Sequence, residues 1–163
     1  MPASPQLDSS RDAPARLGRY ELLGHLATGG MAEIHLARIA GEGGFEKSVV
    51  VKRLLPELVA SPAYVAMFLD EGKLVARLDH PNICEVYDLG TLDDGSPFLV
   101  MEKLTGETLA ARIQRDRVLA LRDAIDIVIQ VLSGLVVAHD KGIVHRDIKP
   151  ENIFLAQRTG CPP

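Results

Sequence analysis

A run of small residues in the first third of the chain has the composition of a phosphate-binding loop. The run reads Leu26-Ala27-Thr28-Gly29-Gly30-Met31-Ala32-Glu33-Ile34. Backbone N–H groups in such a loop can approach phosphate oxygens closely, which bulky side chains would prevent. The residues on either side alternate in polarity with the period of a β-strand. The run is therefore predicted to join two strands, and a plain hairpin turn is the alternative interpretation.

A carboxylate interrupts an apolar helix face further along the chain. Ser61-Pro62 is a favourable helix start, because a capping hydroxyl precedes a proline in the first turn. Tyr64, Phe68, Glu71, Val75 and Leu78 then follow at a spacing that places them on one face. The apolar members indicate that this face is buried. A carboxylate there is costly unless a cation meets it, and a simple exposed helix glutamate is the alternative.

The small-residue run is followed along the chain by Val49-Val50-Val51-Lys52 and then by His145-Arg146-Asp147-Ile148-Lys149-Pro150-Glu151-Asn152. Together these three segments resemble the Hanks-type (eukaryotic-like) protein kinase family, in its bacterial Ser/Thr branch. The small-residue run aligns with the glycine-rich loop of that family, and Val49-Val50-Val51-Lys52 aligns with its V-A-I-K strand. His145-Arg146-Asp147-Ile148-Lys149-Pro150-Glu151-Asn152 matches H-R-D-x-K-P-E-N at every fixed position. The first two segments are weak evidence alone, whereas the third is specific. The resemblance covers about residues 20–155.

The resemblance implies that the γ-phosphoryl group of ATP is transferred to Ser or Thr hydroxyls of protein substrates, with Mg²⁺ as the metal. Asp147 would then accept or orient the proton of the substrate hydroxyl, and Lys149 would neutralise charge on the phosphoryl group. Asn152 would hold one magnesium ion. Lys52 would reach the α- and β-phosphates and pair with Glu71. A solvated surface lysine remains the alternative for Lys52.

The resemblance also implies a set of residues around the adenine base. Val50 and Ile34 would cover the base from above, and Phe154 would lie below it. Met101 would be the gatekeeper residue, and the backbone of Glu102 and Leu104 would face the adenine edge. The implied cofactor-binding set is Leu26, Ala27, Thr28, Gly29, Gly30, Ala32, Ile34, Val50, Lys52, Glu71, Met101, Glu102, Leu104 and Phe154. For Ile34 and Phe154, ordinary core packing is the alternative.

The sequence departs from the family pattern at two points. Ala27 and Ala32 occupy the first and third glycine positions of the loop, and alanine disfavours positive φ. In addition, no acidic residue follows Asn152, so the aspartate of D-F-G is absent from this sequence, as are the activation loop and the A-P-E segment. Asp88-Leu89-Gly90 is not a substitute, because it precedes the catalytic loop.

The missing D-F-G leaves three interpretations of function. The chain is a Ser/Thr kinase by family, or a catalytically impaired nucleotide-binding or regulatory fragment, or the remnant of a truncated or frameshifted gene. An excerpt of a longer chain would also end in this way. The fragment hypothesis predicts ATP affinity without phosphate transfer, and the remnant hypothesis predicts little soluble protein.

The elements that must position these residues form an α+β, protein-kinase-like layout. Residues 1–18 are predicted to be a flexible tail, 19–101 a small antiparallel sheet lobe with one helix, 102–104 a hinge, and 105–163 the start of a helical lobe. A hairpin is predicted around Asp93-Asp94-Gly95 and a short helix over 105–117. A longer helix over Leu121–Asp140 is apolar nearly all round and should be buried on several sides. Because the later helices of the family's large lobe are absent from this sequence, the helix is predicted to expose a patch through which copies self-associate.

Composition restricts the remaining function classes. The net charge is −4 and no dense basic run occurs, which argues against a nucleic-acid partner. The longest uncharged apolar stretch, Ile127–Ala138, is too short to span a membrane. The remaining histidines show no metal-ligand spacing, and Cys84 and Cys161 lie far apart. A cytoplasmic protein is the expected class.

Overall fold

The computed structural model describes residues 16–157, and the strands in that range form two antiparallel sheets. The strands are β1 (Arg16–Leu17), β2 (Tyr20–Thr28), β3 (Ala32–Ala40), β4 (Glu46–Leu54), β5 (Val86–Thr91), β6 (Pro97–Glu102), β7 (Gly106–Thr108) and β8 (Phe154–Ala156). The large sheet has the order β1-β2-β3-β4-β6-β5, and β7 pairs with β8. The helices are α1 (Pro62–Val75), α2 (Leu109–Asp116) and α3 (Leu121–Asp140). The predicted α+β element order is confirmed.

The first strand corrects the predicted extent of the N-terminal tail. The tail was predicted to include residues up to 18, but Arg16 and Leu17 pair with Glu21 and Tyr20 of β2. Leu17 is buried in the same cluster as Tyr20. An apolar side chain that covers the edge of the sheet explains why the ordered chain begins before the predicted boundary. Residues 1–15 of the predicted tail lie outside the described residues.

Strand β4 divides its side chains between the two faces of the large sheet. Val49 and Val51 are buried in one cluster with Tyr20, Phe98 and other apolar side chains. Val50 and Lys52 alternate with them and so lie on the opposite face. Leu54, on that second face, is buried with Ala32, Phe68 and Leu99. One strand therefore supplies both a hydrophobic core and a site-facing lysine.

Helix α1 packs on the second face of the sheet through Phe68, as predicted, and through Gly72, which the predicted stripe did not include. Phe68 and Gly72 are its buried residues, and a Cβ on Gly72 would come within 3.0 Å of Leu89. The helix therefore approaches β5 and β6 closely. Tyr64 is exposed and the Glu71 side chain is 51% exposed, so the prediction that Glu71 lies on a buried stripe is wrong. The Ser61 hydroxyl makes no capping hydrogen bond, which also corrects the prediction.

The segment after the hinge begins as a strand and not as a helix. The predicted helix over 105–117 is replaced by β7 followed by α2. Gly106 has φ of +140° and its backbone faces β8 at such short range that a Cβ would overlap the Leu155 carbonyl oxygen. The Thr108 hydroxyl accepts a hydrogen bond from the Ala111 N–H at 3.1 Å. This cap delays the start of the helix to Leu109.

Helix α3 has the predicted bounds and packs against the loop that follows α1. Gly134 is buried, and a Cβ there would lie 3.3 Å from the Asn82 carbonyl oxygen. Asn82 also donates a hydrogen bond to Gln130 at 3.2 Å. The opposite side of α3 is exposed and apolar, as predicted; it comprises Leu121, Ile125, Val128, Ile129, Leu132 and Val136. In residues 16–157, none of the helices has the length and hydropathy needed to cross a bilayer.

Candidate active site

The small-residue run forms the turn between β2 and β3, as predicted. The Gly29 N–H donates to the Ala32 carbonyl at 2.8 Å, which closes the turn. The Leu55 N–H donates to the Met31 carbonyl at 2.9 Å and ties the turn to the end of β4. A Cβ at Gly30 would meet nothing within 4 Å, so the tip has open space on its surface. The hairpin thus presents accessible backbone where an anion can approach.

The two alanines in glycine positions of this hairpin have different environments. Ala32 is 6% exposed and packs in the cluster of Leu54, Phe68 and Leu99. Ala27 is exposed and pairs with Ile34 across the hairpin. The methyl group of Ala32 therefore fixes the second half of the turn against the sheet, whereas that of Ala27 makes no comparable packing.

Lys52 and Glu71 form the ion pair that the sequence predicted. Lys52 Nζ lies 2.8 Å from Glu71 Oε1 and 5.7 Å from the centroid of the Phe68 ring. The side chain of Lys52 is 25% exposed and that of Glu71 51% exposed. The pair connects β4 to α1, and it holds a partly accessible cation on the face of the sheet that also carries Val50.

Apolar residues predicted to surround the base lie on adjacent strands of that face. The register pairs Val50 with Met101 and Ile34 with Lys52. Directly paired residues share one face of an antiparallel sheet, so Ile34, Val50 and Met101 are on the same side. Each of the three is half-buried. Phe154 is placed on β8, outside the large sheet, and is 40% exposed.

The predicted hinge follows β6 directly. Glu102 is the last residue of β6; its N–H donates to the Glu85 carbonyl and its Oε1 accepts from the Glu85 N–H, each at 2.9 Å. Residues 103–105 are in neither strand nor helix, and Leu104 is half-buried among them. The connection between the two sheets is thus short and is held at its start by Glu102. Leu26, at the other side of the site, is 54% exposed on β2.

Asp147, Lys149 and Asn152 come together in a single loop. Lys149 Nζ lies 2.9 Å from Asp147 Oδ2. Asn152 Nδ2 donates to both the backbone oxygen and Oδ2 of Asp147, each at 2.9 Å. Arg146 has φ of +62°, a left-handed conformation that is strained for a residue with a side chain. Such strain indicates that the loop conformation is imposed by its surroundings.

Electrostatics keep the carboxyl group of this loop ionised. The hydrogen bond from Lys149 is the largest influence that lowers the pKa of Asp147, and the bond from Asn152 and the charge of His145 act in the same direction. Conversely, Asp147 raises the pKa of Lys149. Asp147 is therefore an anion at neutral pH that can accept a hydrogen bond from a hydroxyl. Its lowered pKa makes it a weak base, suited to orienting that group.

The residues present fit ATP and Mg²⁺. The donor groups of Asn152 are both directed at Asp147, so its amide oxygen is the atom left for a cation, and Mg²⁺ prefers oxygen ligands. Ile34, Val50 and Met101 offer a partly exposed apolar surface for a purine. Lys52 and the open turn at Gly30 offer a cation and backbone for phosphates.

Two features near the site were missed by the sequence interpretation. Gly106 is needed for the close contact of β7 and β8, and nothing in the local sequence identifies its long-range partner. His25 and His35 face each other across the glycine-rich hairpin, with ring centroids 5.4 Å apart. The register at the turn pairs Thr28 with Glu33 and would alone set His25 opposite Leu36. A register shift between His25 and Ala27 brings His35 opposite His25 instead, and nothing in the local sequence indicates that shift.

Comparison with known proteins agrees with this geometry. The sequence profile of the Protein kinase domain matches residues 20–160. The chain is 41% identical over 150 residues to the tyrosine-protein kinase MasK of Myxococcus xanthus, and 38% identical over 141 residues to the serine/threonine-protein kinase PknB of Mycobacterium leprae. Each alignment covers 85% of this chain, but only 23% and 22% of the respective relative.

A solved structure resembles the chain over most of its length. The kinase domain of PknI from Mycobacterium tuberculosis superposes with a TM-score of 0.73 at 31% identity. The match covers 90% of this chain and 58% of that domain. The chain therefore belongs to the protein kinase domain family, and it has the fold of part of such a domain. The family and fold predicted from the sequence are confirmed.

Proposed function

We propose that the protein containing this chain is a protein kinase that transfers a phosphoryl group from ATP to Ser or Thr hydroxyls. The observation that carries the proposal is the loop in which Asp147 contacts both Lys149 and Asn152 at 2.9 Å. Family membership alone does not assign chemistry to particular groups. The loop places next to one another a carboxylate that accepts a hydrogen bond from a hydroxyl, a cation, and an amide oxygen that can bind a metal. Phosphoryl transfer requires all three groups.

Each group in the site has a distinct task in the proposed reaction. Asp147 accepts the hydrogen bond of the substrate hydroxyl and orients its oxygen for attack. Lys149 neutralises charge on the transferred phosphoryl group, and Asn152 is a ligand for Mg²⁺ through its amide oxygen. Lys52, positioned by Glu71, holds phosphate oxygens. Bound MgATP supplies the phosphoryl group and a metal-neutralised leaving group.

The acceptor hydroxyl is the finer part of the proposal. The relatives differ in the acceptor that their names state: PknB is named a serine/threonine-protein kinase and MasK a tyrosine-protein kinase. Lys149, two residues after Asp147, matches the Ser/Thr form of the family motif and favours these shorter hydroxyls. Because the reaction consumes ATP, we place the kinase domain in the cytoplasm.

Phosphorylation of paired substrates tests the proposal. The protein is incubated with labelled MgATP and peptides that differ only in carrying Ser, Thr or Tyr. We expect label on Ser and Thr, and a loss of about 100-fold or more in Asp147→Asn. Asp140→Asn, which removes an exposed carboxylate at the end of α3, is the matched control and keeps full transfer. Equal transfer by wild type and Asp147→Asn would contradict the proposal, and label on Tyr alone would contradict its acceptor.

A second candidate function rests on the exposed side of α3. Six large apolar side chains along this helix are each about half exposed or more. Patches of that kind mark interaction sites or promote association. A regulatory module that binds ATP without transferring phosphate would use this face to contact a second copy of the chain. Light scattering across a concentration series would show dimers in that case, and a monomer throughout would exclude it.

A further inference from the structure

A polar cluster lies beneath the glycine-rich turn, on the opposite face of the hairpin from Lys52. The register pairs His25 with His35, and Thr28 with Glu33. His35 is also paired with Val51, which places it on the face of β4 that alternates with Lys52. The cluster therefore lies outside the proposed nucleotide-facing surface. Thr28 and Glu33 are the last paired residues before the turn. Contacts that fix the positions of these two residues therefore also fix the ends of the turn.

The contacts within this cluster depend on the placement of protons. His25 Nε2 lies 2.7 Å from Thr28 Oγ1, a contact that requires one shared hydrogen. His35 Nε2 lies 3.4 Å from Glu33 Oε1, is buried, and makes no hydrogen bond. A buried ring nitrogen without a partner needs an explanation. Protonation of His35 would convert its contact with Glu33 into an ion pair.

Glu33 already has one cation within ion-pair distance, and a protonated His35 would be a second, nearer one. From β4, Arg53 lies 3.8 Å from Glu33 but is closer, 3.2 Å, to Asp94 in the β5–β6 turn. From β2, His25 meets His35 edge to face, with an interplanar angle of 78°. One charged ring beside one neutral ring is favourable in this arrangement, whereas two charged rings repel. A single proton added to this pair therefore avoids the repulsion that a second one would bring.

A metal site is not the explanation for this cluster. In the part of the chain that the structure describes, no group of three or more His, Cys, Asp or Glu side chains could hold a metal ion. Histidine is, however, the side chain whose charge ordinarily changes between pH 5 and 8. The cluster thus contains a contact, between His35 and Glu33, that becomes an ion pair on protonation and lies next to the turn.

We propose that His25 and His35 are positioning residues for nucleotide phosphates, acting through Thr28 and Glu33, and that proton uptake by this pair strengthens nucleotide binding. The inference rests on the proposed function, since it requires phosphates at the turn. Protonation of His35 forms an ion pair with Glu33, which stabilises the last residue pair of the hairpin, Thr28 and Glu33. It also adds positive charge next to backbone groups that face an anion. By linkage, phosphate binding then favours the protonated pair, and ATP affinity falls as pH rises through its titration.

Binding measurements across pH test this coupling. The dissociation constant of MgATP is measured by calorimetry from pH 5.5 to 8.5 for wild type, His35→Gln and His25→Gln. Because ATP itself titrates in this range, the readout is the difference between wild type and each variant in how the MgATP dissociation constant changes with pH. Between pH 6 and 8 we expect the wild-type affinity to weaken about five-fold more than that of His35→Gln. His139→Gln, in the last turn of α3, is the matched control and keeps the wild-type profile.

Two further measurements keep the test independent of folding. Calorimetry in two buffers of different ionisation enthalpy counts the protons taken up with MgATP near pH 6.5, and the count should be smaller for His35→Gln than for wild type, because protons on ATP itself contribute to both. Adenosine, which lacks phosphates, should bind without that uptake. Identical pH profiles in wild type and His35→Gln, or equal proton uptake by the two proteins, would overturn this inference and leave the kinase proposal intact. No MgATP binding at any pH would overturn both.

Discussion

Replacing Gly106 by alanine tests whether the β7–β8 contact supports the base-binding side of the site. β8 carries Phe154, the residue proposed to lie below the adenine, and it pairs only with β7 among the described strands. A methyl group on Gly106 would overlap the Leu155 carbonyl oxygen. A backbone atom cannot rotate away as a side chain can, so β7 and β8 must separate.

The expected cost follows from two contributions. Alanine at φ of +140° carries a backbone strain of about 2 kcal/mol. Separation of the strands also breaks the flanking bonds from Gln157 N–H to the Thr105 carbonyl and from Leu109 N–H to the Ile153 carbonyl, now 2.7 and 2.8 Å long. Each is worth about 1 kcal/mol. The free energy of unfolding should therefore fall by about 4 kcal/mol.

Gly142→Ala is the matched control, because Gly142 also has positive φ, +74°, but a Cβ there would meet nothing within 4 Å. It should cost only the strain, about 1 to 2 kcal/mol. Urea unfolding followed by circular dichroism measures both, since the chain has no tryptophan for fluorescence. Gly106→Ala should also weaken MgATP binding, and Gly142→Ala should not. Equal destabilisation by the two substitutions would refute the steric argument.

Two other predictions concern the hairpin and the acid stability of the sheet. Ala32→Gly should destabilise the protein by about 0.8 kcal/mol more than Ala27→Gly, because only Ala32 buries its methyl group; the same urea assay compares them. The hydrogen bond from Tyr20 at 2.7 Å, followed by that from Arg19, lowers the pKa of Asp88. The Asp88 carboxylate therefore stabilises the folded state fully above the ordinary pKa of an unfolded aspartate, near pH 4. This stabilisation is lost as the pH falls through the lower pKa that Asp88 has in the folded state. Unfolding free energies below about pH 4 should fall more steeply for wild type than for Asp88→Asn, and parallel curves would contradict this.

Local sequence patterns predicted the strands and helices that are determined by residues close together in the sequence. Alternation and turn residues indicated β2, β3, β4 and the β5–β6 hairpin, because each pairs with a strand close in sequence. The bounds of α3 agree with the prediction, since its apolar run is long and uninterrupted by breakers. The predicted ion pair between Lys52 and Glu71 is present at 2.8 Å, although the burial of Glu71 from which a cation was expected is not.

Features that depend on distant contacts were not predictable in this way. β7 and β8 have three residues each and lie some fifty positions apart, so neither has a periodic pattern of its own. Leu17 belongs to the core only because β1 folds back on β2. Glu71 was placed on a buried stripe from its spacing, but Gly72, which lacks a side chain, is the residue that lets α1 approach β5 and β6.

Strand β4 determines where the chain tolerates changes in length. Its pairing with β3 on one side and β6 on the other fixes Lys52 opposite Ile34 and Leu99. An extra residue in the turn at 41–45 is absorbed outside these pairs and leaves Lys52 in place. An extra residue between Val49 and Lys52 would instead exchange the two faces of the strand, which sends the lysine into the core and a valine into the site. Insertions and deletions among homologues should therefore accumulate in that turn and be excluded from the strand beside it.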